Sequence, residues 1–382
     1  MSYSDVTGHR SMVFDAARNK AYAKALARVI RPGTTVMDLG AGMGVHGFFA
    51  SKLGSAAVHL VEPSPVLDIA RRVAEKNGLK NVLYHPCRVE ELQLDRQVDV
   101  LVSVFTGNFL LTEDLLPSLF YARDKFLAPG GHMIPDRGRM EVVPVCAADY
   151  YQKQIEAWNS CAENAARHGE PELDFRIVRS FAANSLYYDT PKNFNASQLA
   201  EPAALMDMDF TVAPRAECDN ETEVEVLQDG TCHGWLGWFQ IRLGEEWLST
   251  SGEQENTHWS PVFLPLERPL EVRAGERLGF ALKRPEFGEW TWTTRQAENC
   301  QRQSTFFSQV LTHDRVLRAS ENYQPRLSRR GEATQWLLAQ MTGKVAVKQL
   351  SKELYELYPE VYYSEDEALR FVKGLVANFC ES

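Results

Sequence analysis

The run VMDLGAGMG places Asp38 at the end of an apolar stretch and Gly40, Gly42 and Gly44 in the turn that follows. Glycine lets a backbone approach a ligand closely, and a helix starting there offers it unpaired amides. Several nucleotide folds share such a turn, so it does not choose among them. Glu62 ends the next apolar run, VHLVE, where an acid accepts hydrogen bonds from ribose hydroxyls. The third run supplies Val89 and Glu90, placed to flank an adenine. A dinucleotide fold wants G-x-G-x-x-G, but this turn is G-x-G-x-G with Val45 next, and the Gly-Lys-Ser/Thr of a P-loop is absent. The plain alternative is a tight turn beside a surface acid. Agreement across three consecutive runs favours a nucleoside-bearing ligand.

These residues need a sheet to gather them, and the surrounding pattern predicts one. From Thr35 to about Pro135 the runs VMDLG, AAVHLVE, NVLYHP, DVLVSVF and GGHMIPD alternate with helical stretches, as in a doubly wound parallel α/β sheet. GVHGFFASKLG is the helix between the first two strands, with Gly54 as its C-cap. A helix over 10–30 precedes it, with Met12, Phe14, Ala17, Ala21, Ala25 and Val29 near one face, and Pro32-Gly33 ends it. After Arg137 the texture changes to a β run over 139–146 and a polar helical stretch over 148–168. The strand-like segments TEVEVL, WLGWFQIRL, PVFLPL, LEVRAG, RLGFALK and EWTWT then suggest a barrel or sandwich. Trp235, Trp238 and Trp247 read as its core. From about Pro325, ATQWLLAQM, VKQLSKELYELY and SEDEALRFVKGLVANF read as three short amphipathic helices, the last opened by a Ser364–Glu367 capping box. The expected domains are 1–136, 137–322 and 323–382.

Bulk properties narrow the partners. The 382 residues, 44% hydrophobic and 24% charged, suit a soluble globular chain with a large core. A net charge of −10 without basic runs argues against nucleic acid and mildly favours a cationic or amine-bearing substrate. No apolar stretch reaches the ~18 residues of a membrane span. Seven dispersed cysteines without a C-x-x-C pair, and a start without signal-peptide layout, are expected of reduced thiols in the cytoplasm, with no metal site.

At this point the chain resembles the protein arginine methyltransferases over residues 5 to 295. MVFDAARNKAY is similar to the family's first helix, whose arginine grips the methionine carboxylate of S-adenosylmethionine; that position is Arg18, and His9 and Met12 fall on positions that cover the cofactor. MDLGAGMG matches the glycine motif, Glu62 the ribose acid, and CRVEEL the adenine segment with Val89 and Glu90. SVFTGNFLLTEDLL resembles the double-glutamate hairpin, GGHMIPDR the sheet-to-barrel junction, and NTHW the Thr-His-Trp loop of Thr257, His258 and Trp259. The resemblance implies S-adenosylmethionine as cofactor, with S-adenosylhomocysteine as product. It also implies a β-barrel after the cofactor domain, a helical arm, here 148–168, that makes a homodimer, and an aspartate, here Asp15, paired with the loop histidine.

The hairpin departs from the family. Two glutamates there clamp the substrate guanidinium; here the second is Glu113, but Val104 stands for the first, and Thr106 and Asn108 replace a methionine and an aromatic. A guanidinium facing Val104 would leave donors unpaired, at about 1–3 kcal/mol or more. The register points Asp114 elsewhere. One carboxylate suffices for an amine, which must also lose a proton before it attacks. The expected reaction is therefore N-methylation of an amine-type nitrogen on a peptide or a small natural-product intermediate, with Glu113, His258 and Asp15 catalytic and Val104, Thr106, Asn108 and Trp259 around the acceptor. Arginine methylation in a remodelled pocket, O- or C-methylation, and a cofactor-binding scaffold without turnover stay open. So do plainer roles: Glu113 as a helix N-terminal acid, His258 as a structural histidine, Arg18 as a solvated helix residue.

Residues 325–382 lie outside the family plan. They faintly resemble PqqD-like winged-helix domains, which capture leader peptides by strand addition. A packing module is the first reading, peptide capture the second, and DNA binding the last, because acids outnumber bases there.

Overall fold

The computed structural model describes residues 6–161, 163, 167–171, 173–252 and 257–380. It divides into two compact units, Met1–Val310 and Leu311–Ser382.

The first unit opens with α1 (Val6–Val13) and α2 (Ala16–Val29). The single helix expected over 10–30 is thus broken at Phe14-Asp15. Asp15 leaves the helical conformation, with φ −71° and ψ 89°, and its side chain accepts from the Arg18 N–H, so it acts as the N-cap of a new helix. Then follow β1 (Thr35–Leu39), α3 (Val45–Lys52), β2 (Ala57–Val61), α4 (Leu67–Lys76), β3 (Val82–His85), β4 (Val98–Ser103), α5 (Leu116–Phe126) and β5 (Leu127–Ile134). The sheet order is β3-β2-β1-β4-β5, all parallel. Val36, Val58, Leu60, Val100 and Val102 are fully buried, which explains their continuous apolar runs: helices cover both faces. The order reverses between β1 and β4, and a crevice opens above the carboxyl ends of these two strands. Gly47 lets α3 lie down close on the sheet; a Cβ there would stand 2.3 Å from Leu60 Cδ2.

The chain then builds antiparallel sheet. β6 (Arg137–Cys146) leads to α6 (Ala148–Gln154) and a 3-10 turn at Glu156–Trp158. Of the stretch expected as the arm, residues 162 and 164–166 lie outside the described residues. The remaining strands are β7 (Tyr187–Tyr188), β8 (Ser197–Gln198), β9 (Ala203–Asp209), β10 (Cys218–Glu225), β11 (Gly230–Leu243), β12 (Glu246–Ser249), β13 (Val262–Val272), β14 (Arg277–Arg284), β15 (Thr291–Gln296) and β16 (Asn299–Ser304). They form one sheet β7-β13-β11-β6-β8, with β12 and β9 alongside, and a second sheet β10-β14-β15-β16. The two meet in a barrel-like core where Trp235 donates to Thr294 Oγ1 at 3.0 Å and packs on Phe280. Trp238 instead belongs to a separate cluster with Tyr150, Phe194 and Phe263. Trp247 is only half-buried, with Arg139 over its ring, and is not core.

The second unit holds α7 (Arg329–Gln340), α8 (Val347–Leu357) and α9 (Glu365–Phe379) around Leu337, Leu350, Leu354, Tyr362 and Val372. The capping box is present, since Ser364 Oγ accepts from the Glu367 N–H. No strand occurs among its described residues, so neither the wing nor the sheet edge needed for strand addition is present in them. No described helix is long and apolar enough to cross a membrane.

Candidate active site

A cavity of about 710 Å³ occupies the crevice above β1 and β4, roofed by α1 and closed on the barrel side. Its size suits a nucleoside-sized ligand with room beside it. The leading helices give it His9, Met12 and Arg18; the turn after β1 gives Gly40 and Gly42, and the end of β2 gives Glu62. Across from these stand Val104, Thr106, Asn108 and Glu113 from the loop after β4, and His258 and Trp259 from the barrel. Twelve residues singled out from the sequence thus line one cavity. Five others do not line it. Asp15 and Asp38 stand behind it, and Gly44 is the N-cap of α3, with φ 83°. Val89 is buried, and the exposed Glu90 accepts from Ser118 Oγ at 2.6 Å.

Seven buried side-chain polar atoms among the described residues lack a hydrogen-bond partner, and four of them, Arg18 Nε, His46 Nε2, Ser64 Oγ and Thr106 Oγ1, belong to residues of this cavity. Each such group costs about 1–3 kcal/mol, so a polar ligand that pairs them recovers what folding spent there. Glu62 accepts from the Gly42 N–H at 3.0 Å and the Ser64 N–H at 2.8 Å, one on each oxygen, which leaves a lone pair on each for a ribose diol. Arg18 is 3% exposed and its guanidinium donates to the Met12 carbonyl and to Asn19. Buried cation, ribose acid and glycine turn together fit S-adenosylmethionine: Arg18 would hold the carboxylate, Glu62 the sugar.

Asp38 accepts from the Gly47 N–H at 2.7 Å and so fixes the first turn of α3 to β1. Burial pushes its carboxyl up to about 7, partly offset by that bond and by Arg18. On the opposite wall His258 Nδ1 lies 2.8 Å from Asp15 Oδ2, which also accepts the His258 backbone N–H. Burial raises the Asp15 carboxyl, but its bonds to His258 and to the Arg18 N–H outweigh this and hold it below its usual range. Burial also lowers His258 against the pull of Asp15, so the ring is neutral at pH 7. An ionised aspartate only accepts, which places the proton on Nδ1 and leaves Nε2 with its lone pair.

The loop from Ser103 to Leu115 is the strained part of the site. Phe109, Leu110, Glu113 and Asp114 all have positive φ, between 51° and 73°. Non-glycine residues rarely adopt this conformation and cluster at functional sites when they do. Gly107 is required, because a Cβ would stand 2.1 Å from the Thr112 carbonyl oxygen. The surroundings over-determine the loop. Trp259 Nε1 donates to the Thr106 carbonyl at 2.9 Å, the Ser260 N–H to Asn108 Oδ1 at 3.0 Å, and Thr112 Oγ1 meets Tyr188 OH at 3.2 Å. Asp114 turns out of the cavity and takes a two-pronged ion pair from Arg284, at 2.6 and 2.7 Å, plus the Phe287 N–H. Glu113 is the carboxylate left to face the cavity beside Val104.

His46, Ser64, Phe105, Tyr188 and Arg284 escaped the sequence reading. His46 and Ser64 follow recognised motifs by two residues, so proximity was the available signal. Arg284 lies 170 positions from Asp114 and offers no local one.

Comparison with known proteins places the chain among similar ones. Residues 136–286 match the arginine methyltransferase oligomerization subdomain, and residues 30–195 a methyltransferase domain. Protein arginine N-methyltransferase 2 of Xenopus tropicalis is 31% identical over 294 residues, 72% of this chain and 66% of that protein. Protein arginine N-methyltransferase 6 of the same species is 31% identical over 282 residues, 71% of this chain and 81% of that protein. Among solved structures, the Trypanosoma brucei PRMT1 enzyme-prozyme heterotetrameric complex with AdoHcy aligns with a TM-score of 0.70 and 27% identity, covering 80% of this chain and 99% of that one. Arabidopsis thaliana protein arginine methyltransferase 10 shares the fold, with a TM-score of 0.67 at 22% identity over 79% of this chain and 99% of that one.

Proposed function

Because the chain belongs to the protein arginine N-methyltransferase family and is thereby an S-adenosylmethionine-dependent methyltransferase, we propose that its acceptor is an amine-type nitrogen on a peptide or small molecule. One observation carries this reading: Val104 and Glu113 line the same cavity, so a single carboxylate and an apolar side chain face the acceptor. A primary or secondary amine needs one anionic partner, whereas the planar fork of a guanidinium pairs best with two.

When bound, the cofactor supplies an electrophilic methyl group on a sulfonium sulfur. Glu113 accepts an N–H of the acceptor, aims the nitrogen lone pair at that methyl, and takes up the proton released as the N–C bond forms. Transfer would leave the C–S electron pair on the cofactor's sulfur. His258, held through Nδ1 by Asp15, presents Nε2 to the same space as a second proton acceptor, and Trp259 closes the wall. Positioning supplies most of the rate in such a transfer. Self-association through the region around 148–168 belongs to the same reading, supported by the oligomerization subdomain, and sedimentation would show a homodimer.

The test is turnover of labelled cofactor against amines, guanidines and peptides. Wild type should methylate amines, Glu113→Gln should lose about 100-fold or more in kcat, and Val104→Glu should gain guanidine methylation. Guanidine methylation by wild type sinks the amine reading and favours the second one, arginine methylation in a remodelled pocket, which the named activities of the relatives support. Tight S-adenosylhomocysteine binding without turnover on any acceptor points to a scaffold.

A further inference from the structure

His46 is used neither by the cofactor contacts described above nor by the transfer chemistry. It is the second residue of α3, is 3% exposed, and lines the cavity. Its ring lies 4.3 Å from that of Tyr22 at 30°, with Phe49 edge-on at 6.0 Å. Tyr22 stands one turn along α2 from Arg18, and its hydroxyl is fixed on the Ser103 carbonyl at 2.9 Å. The imidazole is therefore clamped between α2 and α3, next to the guanidinium. Burial, and then the charge of Arg18, push its titration well below the ordinary histidine range, so the ring is neutral. Yet Nε2 has no partner, and neither does Arg18 Nε.

Packing on Tyr22 alone would be served by a leucine or phenylalanine without an orphaned nitrogen. Arg18 Nε and His46 Nε2, both unpaired and both on residues that line the cavity, together with a helix start whose first amides have no intrahelical acceptor, describe an anion subsite. The anion that an S-adenosylmethionine site must bury is the carboxylate of the amino-acid tail.

We propose that His46 is a second holding residue for that carboxylate, its Nε2–H donating alongside the Arg18 guanidinium. The assignment rests on the cofactor and is independent of which acceptor is methylated. The neutral ring adds a directed donor without another charge to desolvate, and it fixes the Nε2–H tautomer.

Calorimetry on the full chain tests it with two probes, S-adenosylhomocysteine and its decarboxylated counterpart, which keeps the nucleoside, thioether and amine. His46→Leu should weaken S-adenosylhomocysteine about tenfold or more, as expected for a lost bond to a charged group. It should leave the decarboxylated probe within about twofold. His46→Gln, whose amide reaches as far as Nε2, should restore most of the loss. Equal weakening of both probes would make His46 a packing residue and overturn the proposal, as would no weakening of either. Should His46→Leu not fold, His46→Asn, whose amide reaches only to Nδ1, makes the same comparison. Because no acceptor enters the experiment, failure of the amine reading leaves its outcome unchanged.

Discussion

Asp38 is in conflict with its own burial. Its carboxyl is 2% exposed and is pushed up to about 7, so near neutral pH the ligand-free protein holds it partly protonated. The sign for stability follows from linkage. The folded value lies above the unfolded one, so the proton is bound more tightly in the fold, and stability falls as pH rises towards and through about 7. Asp38→Asn keeps an acceptor for the Gly47 N–H and removes the titration. The variant should melt at a higher temperature than wild type at pH 8, with the difference shrinking as pH falls and vanishing only below the unfolded carboxyl value of 3.8. S-adenosylhomocysteine should bind it more weakly, because the ligand's ammonium loses an anionic neighbour. A melting difference independent of pH would rule the account out. Much of this was legible in the sequence: strand, turn and acid marked Asp38, Glu62 and the glycines. Burial and the orphaned nitrogen of His46 were not, because they depend on which side chains meet from separate helices.

Among elements, the loop between β4 and α5 stores strain that a distant residue holds in place. Arg284 is nearly buried, and its partner Asp114 follows Glu113 directly, both at positive φ. Removing one partner leaves a buried charge unpaired, at about 3 kcal/mol. Asp114→Ala should therefore lower stability by that order in denaturant melts, and it should reduce kcat more than cofactor affinity, since Glu113 loses its orientation. Asp114→Asn, which tolerates positive φ and can still accept the Phe287 N–H, should keep more activity than the alanine variant. Equal activity of the two variants would sink the claim that backbone geometry matters. Periodicity revealed β1 to β5 because buried parallel strands are continuously apolar. It passed over the break at Asp15, where a capping side chain overrides an unbroken amphipathic pattern. It also passed over β16, whose NCQRQS carries no apolar signal and is held by its ladder to β15.

For the whole molecule, two units with separate cores imply separate roles. Every residue lining the cavity falls between His9 and Trp259, inside the first unit. The second has its own buried set, from Ala333 to Val372. A chain ended after Val310 should fold and bind S-adenosylhomocysteine within about twofold of the full protein, as expected of independent sites; loss of binding would tie the helical unit to the cofactor site. The sequence marked this unit by amphipathic period and caps, but the wing expected from resemblance has no counterpart among its described residues. The bond between Asp15 and His258 joins positions 243 residues apart. One carboxylate thereby starts the helix that carries Arg18 and sets the tautomer of the imidazole opposite. Whatever loosens the opening stretch of the chain would disable the grip on the methyl donor and the set of the His258 imidazole in a single event.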